Sequence, residues 1–140
     1  MKRIIVISLA LACFSFFSCK HNTKDSNSDK KEIKKTTIEF VETNHDFGKI
    51  TQGEKVSHVF KFKNTGENPL ELTQVQPSCG CTIPEWTEAP IDPGKEGTIQ
   101  VMFNSEGREG VQHKTVTVVA NTKPSIHQLT FTAEVLKKAK

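Results

Sequence analysis

Lys55-Val56-Ser57-His58-Val59-Phe60-Lys61-Phe62-Lys63-Asn64-Thr65-Gly66 decides the fold. Val56, His58, Phe60 and Phe62 alternate with Ser57, Val59, Lys61 and Lys63. A period of two places the first set on one face of an extended chain and the second on the other. The spacing predicts a half-buried strand, and Asn64-Thr65-Gly66 supplies the turn chemistry that ends it.

The same pattern recurs on both sides of this stretch. Thr37 to Glu42 reads as a short strand. Leu70, Leu72 and Val75 form another, and the change of face between Leu72 and Val75 implies a bulge. Asp92-Pro93-Gly94 is a turn. Ile99, Val101 and Phe103 face inward opposite Thr98, Gln100 and Met102, and Asn104 to Gly110 is a loop. Thr115 to Ala120 is dominated by β-branched residues, which predicts cover on both faces. Leu129, Phe131, Ala133 and Val135 make the last inward face. Pro84-Glu85-Trp86 and Pro90-Ile91-Asp92-Pro93 read as a rigid exposed loop.

No window carries a long amphipathic helix. The expected fold is therefore all-β, an immunoglobulin-like antiparallel β-sandwich of about seven strands. Five phenylalanines fall on inward faces: Phe47, Phe60, Phe62, Phe103 and Phe131. Each contributes roughly 2 to 3 kcal/mol of burial. About 100 residues suffice for one domain that buries roughly two-thirds of its unfolded surface.

The N-terminus reads as an address. Met1-Lys2-Arg3 is a positive n-region, and Ile4 to Phe17, 14 residues, is apolar apart from Ser8 and Ser15. That suits a signal peptide and falls short of the roughly 20 residues of a membrane span. Phe16-Phe17-Ser18-Cys19 resembles a bacterial lipobox, departing from Leu-Ala-Gly-Cys at two bulky positions. Cys19 is the expected lipidation site. Cleavage before Cys13 competes, but leaves Phe14 to Phe17 as an apolar N-terminus. Lys20, where an enteric retention signal has aspartate, points by resemblance to the outer membrane, facing the periplasm. The expected organisation is a lipoprotein signal peptide at 1–18, a flexible polar tether at 19–36, the sandwich at 37–136 and a basic tail at 137–140.

The chain carries 19 Lys+Arg against 16 Asp+Glu, and removing Met1 to Ser18 takes away Lys2 and Arg3. The mature net charge falls to about +1, and no basic patch of nucleic-acid type remains. Partners are expected at the bilayer, through the lipid, and in another envelope protein.

His45-Asp46-Phe47-Gly48-Lys49-Ile50, Gly53-Glu54-Lys55-Val56, Phe60 to Gly66, Ser78-Cys79-Gly80-Cys81-Thr82 and Pro93-Gly94 occur in one order. Together they resemble the bacterial domain-of-unknown-function family 1573, over about residues 37 to 136. The resemblance implies an immunoglobulin-like sandwich. It brings no established reaction and no catalytic residues.

Cys79 and Cys81 are the concentrated chemistry of the mature chain. Once Cys13 is removed and Cys19 is lipidated, an intramolecular disulfide can join only these two. Gly80 between them would ease the bend through a positive φ. A loop this short removes little unfolded-state entropy. Four readings stand: a structural turn with the cysteines packed beneath Trp86, a redox-labile pair, a Cu or Zn site, and a cross-link to a partner's cysteine. The redox reading lacks the Cys-x-x-Cys spacing of thioredoxin-like sites. The metal reading needs imidazoles from His45, His58, His113 or His127, and no local spacing selects one. On the inward face, His58 is expected to be a satisfied core or edge histidine.

No phosphate loop, nucleophile elbow or acid/base pair is recognisable, so no enzyme and no cofactor is expected. The functional expectation is a non-catalytic immunoglobulin-like binding or scaffolding module, lipid-anchored in the envelope, with Trp86 as a candidate contact residue. The alternative is a metal-handling or thiol-redox protein centred on Cys79 and Cys81.

Overall fold

The computed structural model describes residues 34–139. The expected signal peptide, Cys13, Cys19 and nearly all of the expected tether lie outside the described residues. Eight strands follow one another: β1 Ile38–Phe40, β2 Asn44–Thr51, β3 Lys55–Asn64, β4 Leu72–Pro77, β5 Thr82–Trp86, β6 Glu96–Asn104, β7 Gly110–Ala120 and β8 Ile126–Leu136. They form two four-stranded sheets, ordered β1-β3-β6-β5 and β2-β8-β7-β4. The domain is an all-β sandwich of immunoglobulin type.

The inward faces are those the alternation assigns. Phe60, Phe62, Phe103 and Phe131 are no more than 1% exposed, while Phe47 is partly buried against this core. The register of β4 on β7 shifts between Leu72 and Gln74, where the change of face predicts a bulge. Asn64 ends β3 as a fully buried polar hub rather than a simple turn residue. It accepts from the Thr36 hydroxyl and donates to the carbonyls of Asn68 and Ile91. Lys34 to Thr36, assigned above to the end of the tether, are bonded into the domain: the Lys34 and Lys35 carbonyls accept from Asn121 and Asn68.

Three expectations about the strands differ from the structure. Pro84-Glu85-Trp86 is part of an edge strand, not a loop. Pro84 is tolerated there because Asn104 N–H donates to Cys81 O and Thr87 N–H to Thr98 O. By alternation, the backbone of residue 84 then faces away from β6, so its missing N–H removes no ladder bond. Residues 115–120 are covered on one face only: Val116, Val118 and Ala120 are buried, and Thr115, Thr117 and Val119 are half-exposed. The outer face of this sheet carries no second layer among the described residues. Finally, β2 pairs with β8 in parallel, so that sheet is mixed.

β1 and β2 are edge strands joined by a three-residue crossover at one side, and β4 and β5 are edge strands joined at the other. The chain changes sheets at both edges, through Val41 to Thr43 and through Ser78 to Cys81.

Candidate functional site

At the β4–β5 edge, Ser78 N–H donates to Thr115 O on β7, and Cys81 O accepts from Asn104 N–H on β6. The segment therefore ties one sheet to the other. Thr82 N–H returns to Cys79 O at 3.3 Å, closing a turn over Gly80 and Cys81. A disulfide joins Cys79 to Cys81 across it, with the Cα atoms 5.4 Å apart. Oxidised in this way, neither sulfur is a thiolate.

Two details correct the sequence reading. Gly80 does not adopt a positive φ, and a Cβ built on it meets nothing within 4 Å. The bend therefore needs no glycine-only conformation. Nor do the cysteines lie beneath Trp86, which closes the far end of β5, roughly 16 Å from Cys81 at 3.3 Å per residue. Trp86 is half-buried and packs on the core there. A depression of about 270 Å³ beside Cys81 is lined by Lys55, Ile83, Met102 and Glu106.

The histidines are placed elsewhere. His113 is exposed on β7. On β8, His127 Nε2 lies 2.7 Å from Thr122 Oγ1, whose hydroxyl donates to Pro124 O. Burial holds the His127 imidazole below its ordinary pKa, partly offset by a bond to the Pro124 carbonyl. Among the described residues, no cluster of three metal-type side chains includes either cysteine.

The other lateral edge holds the cluster that sequence reasoning did not find. His45 on β2 and His58 on β3 stack face to face, with centroids 3.5 Å apart and planes within 10°. Glu42, in the crossover, brings Oε1 to 2.8 Å from His58 Nε2. The local sequence explains the pose. Asp46 points outward, where its Oδ1 accepts from Gly48 N–H and from the Thr132 hydroxyl. Gly48, at φ +66°, makes the bulge that shifts the register between Asp46 and Lys49. Alternation alone sets His45 and Phe47 on one inward side, with ring centroids 4.6 Å apart, and the bulge carries that side on to Ile50.

Phe60 meets His58 edge-on at 4.8 Å, and Phe47 reaches Phe131 at 5.5 Å, so the cluster is walled by the core. Burial first, and then repulsion from the His58 ring, hold the His45 imidazole below its ordinary pKa; Glu42 and Asp46 oppose the shift. The two Asp46 hydrogen bonds lower its carboxyl pKa. His58 is thus a satisfied edge histidine, as its inward position implies. Its neighbour came from another strand on the facing sheet, 13 positions earlier in the chain, a relation that no local spacing displays.

A family model described as protein of unknown function, DUF1573, matches residues 38–135. The chain belongs to this family. It places no reaction on the motifs just described. No curated protein matches the chain in sequence.

Solved structures share the fold. A protein of unknown function from Porphyromonas gingivalis W83 is 18% identical with a TM-score of 0.64, over 73% of this chain and 48% of that one. The chain thus spans about half the length of that relative. The human CEP192 PapD-like domain 7 is 10% identical with a TM-score of 0.59, over 75% and 89% of the two chains. The YadV chaperone is 17% identical with a TM-score of 0.52, over 70% and 51%.

Proposed function

We propose that this protein is a non-catalytic binding module, anchored through lipid on Cys19 to the periplasmic face of the outer membrane, that captures an extended segment of another envelope protein. One observation carries the choice of surface: a five-residue open edge on β3. Strand β1 covers β3 only as far as the bond from Val41 N–H to Lys61 O, then leaves for the other sheet. From Lys55 to Val59 no described strand pairs with that side. Alternation turns the N–H and C=O groups of Ser57 and Val59 outward there. Roughly 17 Å of open ladder is a template for an added strand.

The opposite edges are poorer templates. Pro84 removes a central outward donor from β5, and Pro77 removes one from β4. Beside the open β3 edge, Val41 and Val59 are 76% and 39% exposed, with Lys55 next along the strand. A segment running in line with β1, antiparallel to β3, would set apolar residues against Val59 and an acidic one against Lys55.

Photo-crosslinkers placed in cells at Ser57 and at Glu85 test this reading. One discrete adduct at Ser57, lost on Val59→Pro and absent at Glu85, is expected. Equal labelling at both edges overturns it. Cys19→Ala is expected to release the chain from the membrane fraction; retention and normal processing would end the anchoring claim.

A thiol-redox role at Cys79 and Cys81 is the second reading, favoured by the bridged pair beside an open depression. Reduction of this bridge by a dithiol at a potential well above that of buried structural disulfides would support it.

A further inference from the structure

We propose that Glu42, His45 and His58 form a binding site for a zinc-class divalent cation that clips the β1–β2 crossover to β3. Three chain segments meet here: the crossover, the edge strand of one sheet and the open-edged strand of the other. One ligand atom from each residue lies within 4.8 Å of the other two. All three side chains are half-buried, so the site is walled by Phe47 and Phe60 yet reachable from solvent.

The donor set selects the ion class. Two imidazoles and one carboxylate suit Zn²⁺ and its first-row neighbours, whereas Ca²⁺ and Mg²⁺ take oxygen ligands. Three protein ligands leave a fourth position for water or for a group brought by a partner.

The distances require modest closure. Ligand atoms about 2.0–2.1 Å from a tetrahedral zinc stand roughly 3.4 Å apart. The 4.8 Å limit therefore leaves at most roughly 1.4 Å to close. The rings now lie parallel, so their lone pairs do not converge, and coordination turns them out of the stack about their Cβ–Cγ bonds. Little is lost in that turn, because aromatic rings favour offset or edge-to-face contacts over a face-to-face sandwich. The stack brings two nitrogen-donor rings into van der Waals contact beside a single carboxylate, an arrangement that a dication can bridge.

The test uses the purified full chain, stripped with chelator and titrated with Zn²⁺ alone by calorimetry. Co²⁺ follows as a spectroscopic probe. One equivalent is expected to bind, raising the melting temperature by about 10–20 °C at a hundredfold excess over Kd. Co²⁺ is expected to give the visible absorption of a four- or five-coordinate site. His45→Ala and His58→Ala should each weaken binding by thirtyfold or more, while Cys79→Ser/Cys81→Ser leaves it unchanged.

Binding that survives both histidine substitutions, or disappears with the cysteines, overturns the proposal, as does no binding to the unaltered chain. If a histidine variant fails to fold, Glu42→Gln decides. It keeps a hydrogen-bonding side chain in place, and a tenfold or greater loss of Zn²⁺ affinity is expected; unchanged affinity counts against the site.

Discussion

The two lateral edges of the sandwich solve the same problem with different chemistry. At each, the chain leaves one sheet for the other and its backbone loses a neighbour. At the β4–β5 edge, the crossover is a turn closed by the Cys79–Cys81 bridge and bonded to both sheets. At the β1–β2 edge, the crossover's own Glu42 carboxylate bonds His58, which stacks on His45 of the facing sheet. On the readings proposed above, the first brace would answer to thiol redox state and the second to a divalent cation.

The comparison has a shared middle, and removing it should strike hardest. The Phe131 ring lies 5.5 Å from Phe47, on the imidazole side, and 5.5 Å from Phe103, the register partner of Thr82 on the disulfide side. Phe131→Ala is expected to cost about 3–5 kcal/mol in urea unfolding. Hydrogen exchange should accelerate in β2 and β5 alike. Acceleration confined to one of them would mean that the edges do not share this core.

His58→Ala should separate the edges. The ring meets His45, Phe60 and Phe47 and bonds Glu42, and its side chain is 19% exposed. A loss of about 2 kcal/mol is expected, mostly from packing. Exchange should rise at Thr43 to Asp46 and not at Ser78 to Thr82. The opposite substitution, Cys79→Ser/Cys81→Ser, should cost about 1–2 kcal/mol, since so small a loop removes little unfolded-state entropy. Reductant added to the unaltered protein should reproduce that loss. A cost above about 3 kcal/mol would give the bridge a larger role than bracing a turn.

The same contrast explains what was legible in the sequence. Period-two alternation exposed β3, β6 and β8, because each buries one face against a single core. It failed at β5, where Pro84 and the polar Glu85 imitate a loop; only the outward direction of the residue-84 backbone makes a strand possible. It misjudged 115–120, because β-branching reports strand propensity and not how many faces are covered. The cysteine pair was readable because its partners are two residues apart. The Glu42–His45–His58 cluster was not, because it exists only once β2 has crossed to the facing sheet. His45-Asp46-Phe47-Gly48 carried half the information: alternation puts His45 and Phe47 on one face, and Gly48 marks the bulge that follows them. Nothing in the sequence states which strand lies opposite.

Acidification should reveal a further asymmetry, smaller in size. His127 on β8 packs 5.7 Å from Phe40 of β1, against the Thr122 hydroxyl, on the imidazole side of the molecule. Its pKa is lowered in the folded state, so the unfolded chain takes the proton first as pH falls. Its contribution is complete above the ordinary histidine value of 6.5 and is lost as pH falls through that value toward the folded one. Solvent screening at this partly open site keeps the effect below about 1 kcal/mol. The melting temperature should fall between pH 7.5 and 5.5, and His127→Gln should flatten that slope. A slope unchanged by the substitution would assign it to other groups. Asp46 acts in a separate window: its lowered pKa means that its contribution is lost only below the ordinary carboxylate value of 3.8.

The smallest effect is the sharpest discriminator at the disulfide edge. A glycine between two bridged cysteines suggests a bend that only glycine can make, and on that view Gly80→Ala would strain the turn and weaken the bridge. The geometry argues otherwise. Gly80 has no positive φ, its position is exposed, and an added Cβ meets no atom within 4 Å. Alanine would then narrow the unfolded ensemble without straining the folded one, a gain of about 0.4–1 kcal/mol. Gly80→Ala is expected to leave the bridge formed, by thiol count, and to raise the urea midpoint slightly. The matching change at the other edge, Gly48→Ala, forces a side chain into φ +66° at the bulge that follows His45 and Phe47, and should be destabilising. Opposite signs for the two substitutions would show that the imidazole edge depends on a glycine-only backbone and the disulfide edge does not. Destabilisation at both would return Gly80 to the role that its place between the cysteines suggests.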